Sequence, residues 1–166
     1  STLLEASKYF SEPYKVLFIG AKNEVEVKKL KELTSDNSNI KILSWLKPSE
    51  LGEYPAKTRI GILPLQDTFF NSRLTSPLKL FDYFGYGIPV ISADLTALRD
   101  LVYEHKTGLF FENNPRDLAH KIDQLMSDEA LWQNMSKNVY AFAEKKLWTN
   151  RAQQLVAHFQ NQAGEK

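Results

Sequence analysis

The chain has 166 residues, 43% of them apolar and 25% charged, with 21 basic against 20 acidic side chains and a formal net charge of +1. That length suits one ordinary soluble domain and is too short for two full α/β lobes, and so balanced a charge argues against nucleic-acid binding driven by bulk electrostatics. Absence of Cys excludes disulfides and thiolate metal sites and fits a reducing cytoplasm; no apolar run reaches the ~20 residues that span a bilayer, and the N-terminus lacks the order of a signal peptide.

In chain order, the first ten residues read as the end of an amphipathic helix, with Leu3, Leu4, Ala6 and Phe10 near helical spacing. "YKVLFIG" reads as a buried strand ending at Gly20, and "NEVEVKKLKELT" as a helix opened by Asn23. "IKILSWL" is a second strand, and Pro48 with Ser49 starts a short helix, "PSELGEY". "RIGILPL" is a third strand, followed by a loop from Gln66 to Thr75 that holds Phe69, Phe70 and Arg73. A helix then begins at Ser76, and "PVISAD", "LTALRDLV", "GLFF" and the stretch after Asn114 read as strand, helix, strand and helix. Such alternation implies crossover connections, and therefore a mostly parallel sheet covered on both faces. From Asp128 to about Gln162 the pattern is helical only, with a break expected near Trp148.

The segment from Ser76 to Val102 carries the most chemistry. Ser76 is placed to cap the helix and Pro77 to occupy its first position, where a missing N–H costs nothing. The free amides from Leu78 onward then form a terminus with roughly half a positive charge and several unpaired donors, which suits a phosphate group. Asp82 lies about one turn on, near the face of Lys79 and Leu78, where a carboxylate accepts two hydrogen bonds from a vicinal diol. Each of these residues also has a plainer reading: Thr75 and Ser76 as caps, Lys79 as a solvated lysine, Asp82 as a surface acid paired with a neighbour.

The stretch "SPLKLFDYFGYGIPVISADLTALRD" resembles the donor-binding motif of the group 1 retaining glycosyltransferases, the GT4 family with two Rossmann-like lobes (GT-B). The resemblance extends through "KVLFIG", "IKILSWL", "IGILPL" and "TGLFFENNPRDLAHKI" in the family's order. It implies a Rossmann-like three-layer α/β/α sandwich, one domain over residues 1–166 with a helical tail over 128–162, acting as a C-terminal nucleotide-sugar-binding lobe. It further implies diphosphate and sugar contacts from Thr75, Ser76, Pro77, Leu78 and Lys79, ribose contacts from Asp82, and a base site at Ser44, Trp45 and Leu46. No catalytic side chain, metal or cofactor is expected in this lobe, whose substrate is a UDP- or GDP-linked sugar. Polysaccharide or glycolipid synthesis in the cytoplasm is the implied setting, which leaves peripheral membrane association of the parent enzyme open.

Two departures stand out. Leu74 occupies the position of the family's sugar-binding Glu, so that Thr75, Ser76 and backbone amides are expected to hold the sugar, as in relatives with an "SPLKLFEY" variant. Asp82 keeps the charge of the usual Glu with one methylene less reach. Family members also begin this lobe with a strand and a basic loop that are not found here. Since that strand is central in a doubly wound sheet, its loss should expose backbone and apolar surface, and the chain reads as a fragment that turns over little without its N-terminal lobe.

Elsewhere the chemistry is sparse. Gly20 lacks the spacing of a dinucleotide fingerprint, and Trp45 by itself reads as core. His105, His120 and His158 show no metal spacing, while Asp94, Asp100 and Glu104 read as caps and surface charge. Phe69 and Phe70 have three readings: lining the donor cleft, meeting another lobe, or covering the core edge. The alternatives to a transferase lobe are a nucleotide-sugar 2-epimerase, which should bring acids and a His not placed here, a flavodoxin-like binding domain, and a structural remnant without ligand.

Overall fold

The computed structural model describes residues 2–34, 37–145 and 148–163. Helix α1 (Thr2–Ala6) buries Leu3 and Ala6 and runs into a short 3₁₀ turn, Ser7–Tyr9. Strand β1 (Val16–Ala21), helix α2 (Glu24–Leu33) and strand β2 (Ile40–Ser44) make a first parallel crossover. Asn23 caps α2 as expected, its Oδ1 accepting the Glu26 N–H at 2.9 Å, and the Glu26 carboxylate accepts the Lys22 N–H at 2.6 Å. Two short helices, α3 (Pro48–Leu51) and α4 (Glu53–Ala56), lead into β3 (Gly61–Leu63). Then come α5 (Phe69–Arg73), α6 (Leu78–Gly85), β4 (Val90–Ala93) and α7 (Thr96–Arg99), which continues as a π turn over Asp100–Glu104. Strand β5 (Gly108–Phe111) and helices α8 (Pro115–Ser127), α9 (Glu129–Lys145) and α10 (Trp148–Ala163) complete the order. The exact break before Trp148 lies outside the described residues.

Three expectations from the sequence need correction. Residues 66–75 are not all loop, because Thr68 Oγ1 accepts the Asn71 N–H at 3.1 Å and starts α5. The stretch from Pro48 is two short helices divided at Gly52, not one. The third strand is only three residues long, and a lost ladder donor explains each end. In the β3–β4 ladder Gly61 N–H donates to the Pro89 carbonyl at 2.9 Å, and the reciprocal donor toward Arg59 would be residue 89 itself. Proline has no N–H to give, so the ladder stops there. The Arg59 carbonyl instead accepts the Trp132 indole Nε1–H of α9 at 2.8 Å. The Arg59 guanidinium stacks over that indole at 4.5 Å and pairs with Glu129, whose carboxyl is held below its ordinary value first by that hydrogen bond. At the other end the Leu65 N–H, the next donor on the β4 side, turns back to the Leu63 carbonyl at 2.9 Å and leaves the ladder.

One continuous core lies around the three-stranded sheet β3-β4-β5. Leu80 and Phe84 of α6, four residues apart and therefore on one helical face, meet Val90 and Ile91 of β4, Leu118 and Leu125 of α8, and Val139 and Phe142 of α9. The Phe84 and Phe142 rings pack edge to face with centroids 5.5 Å apart. Each such fully buried side chain contributes about 1.5–3 kcal/mol relative to exposure. Buried hydroxyls are satisfied by backbone carbonyls: Thr107 donates to that of Leu101 at 2.7 Å and Ser136 to that of Gly87 at 2.8 Å.

The sheet itself is divided. β1 pairs only with β2, and β3, β4 and β5 form a separate parallel sheet in that order. Val16 and Phe18 of β1 pack against the same core as Ile60 and Ile62 at β3, and among the described residues β1 and β3 each have one edge without a strand partner. Alternation along each ladder then assigns their backbones. Val16 N–H donates to the Asn39 carbonyl at 2.9 Å, so Val16 and Phe18 turn toward β2 while Leu17 and Ile19 turn away from it. Gly61 and Leu63 turn toward β4, and Ile62 faces the opposite, open side. No third strand bridges these edges among the described residues. Amide exchange in the folded chain should therefore be at least about tenfold faster at Leu17 and Ile19 than at Val16 and Phe18. Equal protection at all four positions would mean that the edge of β1 away from β2 is covered.

Candidate functional site

Parallel pairing of β3 with β4 places the start of α6 at the C-terminal end of the sheet, because the helix must run back to where β4 begins. The helix starts at Leu78, one residue later than the sequence suggested. Pro77 is the N-cap, with φ −68° and ψ 115°, and its ring offers no side-chain acceptor, so no side-chain cap forms and Ser76 lies outside the helix. The Leu80 N–H folds back to the Pro77 carbonyl at 3.0 Å, and the amides of Leu78 and Lys79 have no acceptor among the described residues. Two free donors remain at the terminus of an eight-residue helix.

Around that terminus the side chains are open. Leu78 is 79% exposed. Lys79 and Asp82 are also exposed, and neither makes a hydrogen bond or ion pair among the described residues. Asp82 is thus not tied up by a neighbour. Thr75 and Pro77 are half-buried and Ser76 is exposed. The structure therefore brings Thr75, Ser76, Pro77, Leu78, Lys79 and Asp82 together on one short helix and its approach. Ser44, Trp45 and Leu46 stand apart from them, at the end of β2 in the two-stranded sheet. Trp45 is 64% exposed rather than core, its backbone N–H donating to the Ala21 carbonyl at 3.2 Å across the end of the sheet. Gly20, at φ +107° beside the bulge in β1, takes a conformation that favours glycine at this turn.

The segment before α6 is built by short-range bonds that the sequence reading did not assign. Asn71 Nδ2 donates to the Gln66 carbonyl at 2.9 Å and Ser72 donates to Asp67, which staples residues 66–72 into a compact turn. Phe69 and Phe70 stand out from it, 73% and 61% exposed, with the Arg73 guanidinium 5.9 Å over the Phe69 ring. They do not cover the core. The Thr68–Asn71 spacing of a cap was the signal available for this helix. Beyond β4, Asp94 holds Arg99 through two bonds of 2.8 and 3.0 Å, and the carboxylate raises the guanidinium's pKa. Asp94 is therefore an exposed ion-pair partner.

On the inner side of α6, Tyr83 faces β3. Burial pushes its phenol above the ordinary 10.0 and the Asp82 charge adds to the rise, while the Ile62 backbone amide opposes it. Among the described residues no three His, Asp or Glu side chains gather to hold a metal ion, and no helix is long and apolar enough to cross a membrane.

Residues 1–128 match the profile of the family described as glycosyl transferases group 1. The chain belongs to that family. As a group 1 glycosyl transferase chain it is 24% identical over 123 residues to the chitobiosyldiphosphodolichol beta-mannosyltransferase of Candida albicans, covering 72% of this chain and 26% of that protein. It spans about a quarter of the length of the first curated relatives it matches. Sucrose-phosphate synthase from Thermosynechococcus elongatus superposes with a TM-score of 0.78 over 99% of this chain and 42% of that one, at 17% identity. HepE from Anabaena, solved with UDP and glucose, superposes with a TM-score of 0.74 over 97% of this chain and 44% of its own, at 15% identity. These likenesses establish the fold, a Rossmann-like α/β lobe of the GT-B glycosyltransferases.

Two measurements check the site as built. Thr68→Ala, which removes a cap bond, should cost about 1 kcal/mol of stability, and Ser76→Ala, which removes none, should stay within about 0.5 kcal/mol in the same urea titration; the reverse order would restore Ser76 as the cap. Tyr83 fixes a sign at alkaline pH. A phenol whose folded pKa lies above its unfolded value keeps its proton after the unfolded chain has lost its own, so the stability it contributes is full below about pH 10 and declines above it. Between about pH 9 and about pH 11 the native chain should lose more stability than Tyr83→Phe; parallel losses would place Tyr83 in water.

Proposed function

We propose that this chain is the donor-binding lobe of a retaining glycosyltransferase that moves a hexosyl group from a nucleoside-diphosphate sugar to a hydroxyl acceptor. The observation that carries the reading is α6: two unpartnered amides at its start and an unpaired carboxylate one turn on, all exposed at the C-terminal end of a parallel sheet. Ligands of doubly wound sheets bind at that end. The amides of Leu78 and Lys79, with the Lys79 ammonium, take the diphosphate. Asp82 accepts the two ribose hydroxyls, as charge-assisted hydrogen bonds. Trp45, with Ser44 and Leu46, offers an exposed wall for the base. Thr75 and Ser76 contact the sugar in place of the acid that Leu74 replaces.

In the transfer the bond from the anomeric carbon to the diphosphate breaks and a bond to the acceptor oxygen forms, while the acceptor loses its hydroxyl proton. Charge develops on the leaving diphosphate, and fixed donors at the start of α6 stabilise it there without reorganising. The general base and the acceptor site belong to a second lobe, so residues 1–166 bind donor but turn over little. The substrate class is supported by the relatives: HepE was solved with UDP and glucose, and the Candida protein is a mannosyltransferase acting on a dolichol-linked diphosphate. We place the protein in the cytoplasm, with no metal in this lobe.

Calorimetric titration with UDP, GDP and ADP tests the reading. One nucleotide should bind saturably, and Asp82→Ala should weaken it by roughly 1.5–3 kcal/mol, which is about ten- to a hundredfold. A folded chain that binds none of the three, or an Asp82→Ala variant that binds as tightly as the native one, would overturn it.

A further inference from the structure

The donor helix sits on a glycine. A Cβ at Gly61 in β3 would lie 2.5, 2.6 and 2.8 Å from Cδ2, Cγ and Cε2 of Tyr83, so the ring fills the place where any other residue would carry its side chain. Tyr83 therefore seats α6 on β3 at a position that only a residue without a side chain leaves open.

The other end of α6 is held in the same manner. The Tyr140 ring of α9 lies over Gly87, its hydroxyl donates to the Tyr86 carbonyl at 3.3 Å, and Ser136 donates to the Gly87 carbonyl at 2.8 Å. With its C-terminal turn clamped on α9, the remaining freedom of α6 is the height and rotation of its N-terminal half over β3. Tyr83 follows Asp82 directly, so a rotation that moves the carboxylate also lifts the ring off Gly61. We propose that Tyr83, seated on Gly61, is a positioning residue for nucleoside-diphosphate binding, setting where Asp82 and the free amides of Leu78 and Lys79 stand. This inference rests on the donor-lobe reading above.

The experiment is calorimetric titration with UDP and GDP of the native chain, Gly61→Ala, Tyr83→Leu and Asp82→Asn, with both double variants carrying Asp82→Asn, at a temperature where each is folded by circular dichroism. Gly61→Ala should bind about tenfold and Tyr83→Leu about threefold more weakly than the native chain, since a displaced helix start misplaces its ligand groups. Both losses should shrink in the Asp82→Asn background, because groups acting through one carboxylate are not additive. Folded variants that bind like the native chain would overturn the inference, as would losses fully additive with Asp82→Asn, which would mark Tyr83 as structural only. If Gly61→Ala does not fold, Tyr83→Leu carries the test. A native chain that binds neither nucleotide refutes the donor-lobe reading itself, and this inference with it.

Discussion

Parallel pairing of β3 with β4 is the constraint from which the site follows. Two parallel neighbours cannot be joined by a tight turn, so the chain leaves β3 at one end of the sheet and must return to the other before β4 begins. Helix α6 is that return. Its N-terminus is obliged to stand at the C-terminal end of the strands, and its apolar stripe, Leu80 and Phe84, is obliged to face the core. The same geometry turns Leu78, Lys79 and Asp82 outward. A helix packed for stability thus presents amides and a carboxylate at the sheet's rim.

What holds that helix is mostly a matter of missing atoms. Gly61 and Gly87 have no side chains, and aromatic rings occupy both spaces. Pro89 has no N–H, and the carbonyl it would have bonded is taken by Trp132 from α9. These substitutions join α6, β3 and α9 into one block around the Phe84–Phe142 contact. By contrast β1 and β2 attach to it through side chains such as Val16 and Phe18, not through a backbone ladder. The candidate site therefore has a firm half, built on α6, and a half at Ser44–Leu46 that depends on a more loosely joined sheet.

Much of this was legible locally. Asn23 and Asn114 each sit three residues before an amide they accept, at 2.9 and 2.8 Å, and both helix starts could be read from that spacing. The alternation of apolar strands with helices gave the parallel pairing. Local reading failed where two local preferences competed. Ser76 looks like a cap, but the proline after it holds an extended ψ of 115° and becomes the N-cap itself. Thr68 and Asn71 have cap spacing, yet the polar surroundings and two aromatic residues made residues 66–75 look like loop.

Sequence alone determined the class of the chain, its alternation of strands and helices apart from α5 and the split between α3 and α4, the parallel sheet and the helix that carries Asp82, because capping, periodicity and crossover rules act over a few residues. Only the tertiary structure decided that Trp45 is exposed, that Leu17, Ile19 and Ile62 face unpaired edges, and that Tyr83 rests on Gly61. Exposure and seating depend on what arrives from more than twenty positions away, and nothing in the spacing around Trp45 or Tyr83 encodes which neighbour that will be.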